Sequence, residues 1–192
     1  MRGSQSQLPF RAAELSDAAV LGTILRSADR LEIQAAVGRD PTDTLREGIA
    51  SSIPCWAVLA PSGAPMALFG VVPDAGATGS GMVWLLGSDE LTQHRFAVLR
   101  GSHVWVARLH ERYDRLWNYV DARNDLHINW LRWCGFRFVQ LVERHGVEQR
   151  PFWRVERTHS TGTGAELRHR GGAGFSGLGV PCPTENPPNP AS

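Results

Sequence analysis

Hydrophobic and polar positions alternate, recur and break along this chain in a pattern that sets out most of its elements. Leu8 to Ala13 reads as a first strand. Ser16 is a good helix N-cap, and Val20, Leu21, Ile24, Leu25, Ala28 and Leu31 follow at helical spacing as far as Gly38. Asp40-Pro41 restarts a helix, with Asp as cap and Pro in the first turn; Leu45 and Ile49 form its apolar face. Ile53–Ala60 and Met66–Val72 are strands joined by the Pro61-Ser62-Gly63 turn, a hairpin. A Gly-rich turn over 73–81 leads to a strand at Met82–Leu86. The longest helix is expected over 92–112, with a stripe of Phe96, Leu99, Val106, Leu109 and Tyr113. Leu116–Val120 is strand-like.

The stretch from Asn118 to Phe138 organises the rest. Asn124 can cap a helix beginning at Asp125, and Leu126, Trp130 and Cys134 recur on one face of it. Gly135 stands where a helix end turns left-handed, and Phe136 and Phe138 begin a strand. Phe138–Glu143 and Phe152–Arg157 alternate around a His145-Gly146 turn, a terminal hairpin. The order is β, α, α, β, β, β, α, β, α, β, β. It predicts an α/β (α+β) domain with a mixed, mostly antiparallel sheet of six or seven strands and about four helices.

Composition narrows this picture. Residues 1–7 read as a loose lead-in, 8–157 as the folded domain, and 158–192 as a Gly/Pro-rich flexible tail too poor in apolar residues to offset its chain entropy. All seven tryptophans precede residue 158. Most are expected in the core; Trp105 and Trp133 are expected on an outer side, as a protein contact surface. A formal net charge of +1 and no basic stripe disfavour nucleic acid as the main partner. No apolar run reaches the roughly 18 residues of a membrane span, and the N-terminus lacks the apolar core of a signal peptide. The three scattered cysteines fit a reduced chain rather than a disulfide framework. Cys134 reads as a core thiol.

The spacing of Asn124, His127, Trp130, Leu131, Gly135 and Phe136 resembles the "N…A..LY…GF" segment of the GCN5-related N-acetyltransferases (GNAT). The wording NYVDARNDLHINWLRWCGFRF, with WLLGSDEL at Trp84–Leu91 and the lead-in from Tyr113 to Leu116, looks still more like a GNAT-like branch from short-tailed bacteriophages that includes an internal virion protein. The resemblance covers roughly residues 8–157. It implies a splay between the fourth and fifth strands. In active members acyl-CoA lies in this splay, its pyrophosphate held by a Gly-rich loop at the next helix N-terminus.

This sequence departs from that pattern twice. Between Gly87 and Gly101 there is no glycine, and Asp89 and Glu90 put negative charge at the helix start. Leu131 stands where many such enzymes carry a tyrosine general acid. The resemblance therefore implies a retained scaffold with a changed use: a virion-associated core or assembly protein, in the phage head interior or host cytoplasm. Its partners would be other virion proteins or a second copy, with no cofactor. The alternative is an acetyl-CoA-dependent N-acyltransferase acting on an amine. Leu86, Gly87, Arg95, Arg100, Gly101, Ser102 and Asn124 would then hold the cofactor, with Glu90 and Tyr119 as weak acid–base candidates. His103 and His110, seven apart on one helix, lack a third ligand and predict no metal site. His127 is placed to donate to Asp121 or to cover the core.

Overall fold

A computed structural model describes residues 8–159. The expectations for 1–7 and for the tail from 160 onward lie outside these residues. Thr158, expected to open the tail, instead closes the last strand.

Seven strands form one sheet: β1 (Phe10–Ala12), β2 (Cys55–Leu59), β3 (Pro65–Pro73), β4 (Ser80–Gly87), β5 (Arg115–Asp121), β6 (Arg137–His145) and β7 (Arg150–Thr158). Their spatial order is β1-β2-β3-β4-β5-β7-β6. Every neighbouring pair is antiparallel except β4 and β5, which run parallel. A parallel pair needs a long crossover, and here it is α4 (Glu90–Gln93) with α5 (Arg95–His110). The other helices are α1 (Leu15–Ile24), α2 (Ser27–Ala36), α3 (Pro41–Ser51) and α6 (Asp125–Trp133).

Among the described residues six helical segments stand where about four were expected, because two of the expected helices are each split. The first divides at Leu25 and Arg26: Leu25 bridges to Ser88, and the Arg26 N–H donates to the Gly87 carbonyl at 3.0 Å. The break turns the chain, so Val20, Ile24 and Leu31 are exposed while Leu21, Leu25 and Ile33 are buried. The N-cap is Glu14 rather than Ser16, in a reciprocal capping box with Asp17. The longest helix divides at His94. Its buried face is therefore Val98, Ser102, Trp105, Val106 and Leu109, and Phe96 is left 63% exposed. Asp40 caps α3 as expected, accepting from the Thr42 and Asp43 N–H groups.

Two layers of helix sandwich the sheet. On one face Leu21, Leu25, Ile33 and Leu45 pack against Ala57, Leu68, Trp84, Leu86 and Phe152. On the other, α5 and α6 cover Val71, Val83, Leu116, Val120 and Val155. The β6–β7 hairpin reaches back to the end of α2, where the Val147 and Glu148 N–H groups donate to the Ala36 and Ala35 carbonyls. Gly146, with φ +68°, makes that tip, and a Cβ there would collide with the α2 backbone at Ala36.

The candidate functional site

β4 and β5 pair only at their first residues, Ser80 with Arg115, Gly81 with Leu116 and Met82 with Trp117. From Val83 and Asn118 onward they have no pairing with each other, so the sheet opens into the expected splay. Two arrangements of side chains adjoin it.

The first is aromatic. Trp130, from α6, packs against both apolar clusters beneath α5 and α6, the one around Val83 and Leu116 and the one around Leu85 and Trp105. Its indole Nε1–H donates to the Ser102 hydroxyl at 2.7 Å, and that hydroxyl donates to the Val98 carbonyl. Trp105 lies stacked on Phe69, ring centroids 5.2 Å apart, and is 2% exposed. This corrects the expectation of an outer position. Gly101, one turn earlier, makes room for the indole, since a Cβ there would meet its ring at 2.8 Å. What remains between Val83, Leu85, Trp105, Trp130 and Phe136 is a cavity of about 10 Å³, space for one water at most.

The second arrangement is polar and closes the mouth. The Ser88 N–H donates to Met66 on β3. Successive residues of a strand point their polar groups to opposite edges, so those of Gly87 point into the splay. Both are taken by the α1–α2 junction. The Gly87 carbonyl accepts from the Arg26 N–H, and the Gly87 N–H donates to Asp29 Oδ2 at 2.9 Å. Asp29 is fully buried. Its carboxylate also accepts two bonds from the Arg26 guanidinium, at 2.6 and 2.9 Å, and a longer one of 3.5 Å from Asn124 Nδ2. Burial works against the Arg26 charge, but Asp29 outweighs it and raises the guanidinium above its ordinary value.

From there the network runs to α6. Asn124 caps α6 as expected, its Oδ1 accepting from the His127 N–H at 3.2 Å. Its Nδ2 donates to Glu32 at 2.8 Å. The His127 ring faces Glu32, Nδ1 to Oε2 3.7 Å, and not Asp121, which holds Arg123 instead. Arg26, Asp29, Glu32, Asn124 and His127 are all buried. Arg26, Asp29 and Glu32 were not singled out by the sequence, although a signal existed: Asp29 and Glu32 share a helix face with Ile33 and Ala36.

The expected site residues are dispersed. Leu86 is buried against α1 and α2, and Leu91 folds over Gly87, where it would collide with any Cβ. Gly101 and Ser102 sit inside α5 and serve packing. Arg95 and Arg100 are exposed on the outside of that helix. Glu90 opens α4. Tyr119 lies on the opposite sheet face from α5 and α6, stacked on His145 at 4.4 Å. Cys134 is buried and its thiol is pushed up to about 12, chiefly by burial. Among the described residues no cluster of His, Cys, Asp and Glu is arranged to hold a metal ion, and no helix is long and apolar enough to cross a membrane.

No family model and no curated protein matches the sequence. Among solved structures, the spermidine N-acetyltransferase from Vibrio cholerae in complex with CoA and spermine superposes with a TM-score of 0.57 at 18% identity, covering 81% of this chain and 98% of that one. An acetyltransferase (GNAT family) from Bacillus anthracis gives 0.61 at 10% identity, covering 80% and 95%. The aminoglycoside acetyltransferase AAC(6')-Ib in complex with coenzyme A gives 0.58 at 14%, covering 79% and 94%. The chain therefore has a GNAT-like fold. Two of these neighbours were solved with CoA in place. The residues here do not fit that group: the loop after β4 has no glycine, the splay-facing amide of Gly87 is held by Asp29, and Trp130 packs across the two apolar clusters beneath α5 and α6.

Proposed function

We propose that this protein uses a GNAT-like fold as a binding and assembly module rather than as an acyltransferase. The observation that supports this reading is the Gly87 N–H bonded to a fully buried Asp29 carboxylate. An internal side chain thereby takes the β4 position from which a GNAT-like splay would hold an external ligand. The Asp29 carboxylate and the Arg26 backbone N–H would have to leave before a ligand could bond that strand edge.

The narrower form of the proposal rests on the wording of residues 118–138. It places the chain among the virion-associated proteins of short-tailed phages, in the head interior or, before assembly, the host cytoplasm. Other virion proteins are its partners. Calorimetric titration with acetyl-CoA, with desulfo-CoA beside it, tests the general form. The expected result is no heat and no thermal stabilisation at millimolar ligand; micromolar binding of either would overturn the proposal. Detection of the protein in purified particles by mass spectrometry tests the narrower form.

A second reading draws on the solved neighbours, which are acetyltransferases. In it the chain is an acetyl-CoA-dependent N-acyltransferase for an amine. Arg95 and Arg100 would serve the phosphates, and Glu90 and Tyr119 would remain the acid–base candidates. Stoichiometric transfer of radiolabelled acetyl to a polyamine or a peptide amine would favour it over the first.

A further inference from the structure

The outer face of α5 carries a feature separate from the splay. Phe96, Arg100, Val104 and Arg108 follow one another at four-residue steps and are all exposed. Residues at that spacing form a continuous ridge on a helix, so this ridge alternates apolar and cationic along about 18 Å. Trp133 of α6 widens it. Its indole donates to the Leu99 carbonyl at 3.2 Å, its ring lies 5.5 Å from that of His103, and it is 53% exposed.

The charge on this face is one-sided. No acidic residue occurs in the whole of α5. Elsewhere in the fold eight arginines sit in ion pairs with carboxylates: Arg11, Arg26, Arg39, Arg46, Arg115, Arg123, Arg150 and Arg154. Among the described residues Arg95, Arg100 and Arg108 form none, and neither do Arg30, Arg112, Arg132, Arg137, Arg144 and Arg157. Arg95 and Arg108 are held instead over the rings of Phe96 and Phe10, at 4.9 and 5.1 Å. A guanidinium fixed on a ring keeps its donors free and loses less freedom when an anion arrives. Past Arg108 the ridge runs into an open groove of about 660 Å³ lined by Pro54, Trp56, Arg108, Glu111 and Arg112.

We infer that this ridge docks an acidic amphipathic helix of a partner protein, whose carboxylates meet Arg100 and Arg108 and whose apolar residues cover Phe96, Val104 and Trp133. The alternation favours such a helix over a phosphate backbone, because Val104 stands between Arg100 and Arg108, Phe96 precedes them, and neither offers a phosphate anything. The inference rests on the first of the two functional readings, since the second gives Arg100 to the phosphates of acyl-CoA.

Fluorescence anisotropy on the full chain tests it. The probe is a fluorescein-labelled amphipathic peptide of about 16 residues, long enough as a helix (about 24 Å) to cover the whole ridge, with Glu and Leu alternating at four-residue steps. Its Lys-for-Glu counterpart and a labelled DNA duplex serve as controls. The Glu peptide is expected to bind the wild type in a salt-sensitive way, and the controls are not. The double variant Arg100→Glu with Arg108→Glu, and separately Val104→Glu, should each weaken binding about tenfold or more. Circular dichroism confirms that these surface variants fold. Millimolar coenzyme A should leave the bound peptide in place. Tighter binding of DNA, displacement by coenzyme A, unaltered affinity of the double variant, or no binding of the Glu peptide would each overturn the inference.

Discussion

Asp29, on the second helix, accepts the backbone N–H of Gly87 at the end of the fourth strand, 2.9 Å away and 58 residues along the chain. The same carboxylate neutralises Arg26, which is itself buried. Asp29→Ala leaves that guanidinium without its counter-charge, and removing one partner of a buried ion pair costs about 3–5 kcal/mol. Denaturant unfolding should show a loss of that size. The double variant Arg26→Met with Asp29→Leu should lose clearly less, because no charge is stranded. Equal losses in the two would mean that the carboxylate matters for its shape and not for its charge.

The Ser102 hydroxyl holds Trp130 against the apolar clusters beneath α5 and α6. Ser102→Ala should cost about 1 kcal/mol, the typical worth of one such hydrogen bond. Trp130→Ala should cost about 3–5 kcal/mol, because a large ring leaves a cavity behind. In that variant alone the enlarged cavity should take up xenon, read as xenon-dependent shifts of the Val83 and Leu85 methyl resonances. No shift would mean that the neighbouring indoles collapse into the space.

Burial pushes the thiols of Cys55 and Cys134 up to about 12. At pH 8 about one in ten thousand of such groups is a thiolate, the reactive form. In a Cys182→Ser variant, iodoacetamide at pH 8 should therefore label neither cysteine until denaturant is added. Rapid labelling of Cys134 in the native state would show that α6 opens readily.

His110 is buried at the far end of α5, with Nδ1 2.8 Å from the Tyr113 carbonyl. Desolvation is the main cause of its lowered pKa and outweighs that contact. A histidine with a depressed folded value binds its proton more readily when unfolded. Its contribution is thus complete above pH 6.5, the ordinary value, and is lost as pH falls below it. Thermal melts should show stability declining with acidification from that point. The slope should be shallower for His110→Asn, and an unchanged slope would assign the decline to other groups.

The hairpin tip offers a conformational test. Gly146→Ala forces a side chain onto the α2 backbone at a positive φ. The expected loss exceeds the roughly 1 kcal/mol of an unstrained helical Gly-to-Ala difference. Hydrogen exchange should then show faster exchange at Val147 and Glu148, whose N–H groups donate to α2.

The sequence showed the order of elements well because caps and turns are local. Asp40, Asn124, Gly135 and the Pro61-Ser62-Gly63 turn each act within a few residues, and each stands where its chemistry predicts. The two helix breaks at Leu25 and His94 were not legible. The first is imposed by hydrogen bonds to Gly87 and Ser88, more than sixty residues downstream, which no local pattern encodes. Missing the second rotated the expected face of α5, exposing Phe96 and burying Trp105. The same holds for the site. The absent glycines of the loop could be read directly, whereas the partner that replaces them, Asp29, lies on another element.

Glu32 and Asn124 are hydrogen-bonded across 92 positions. A nascent chain on the ribosome therefore exposes Glu32 long before its partner is synthesised. The first hundred residues cannot settle this carboxylate in a dry interior until β5 and the start of α6 have emerged. Consolidation around α2 is thus deferred until most of the domain has been translated, a late step set by topology rather than by the stability of any one helix.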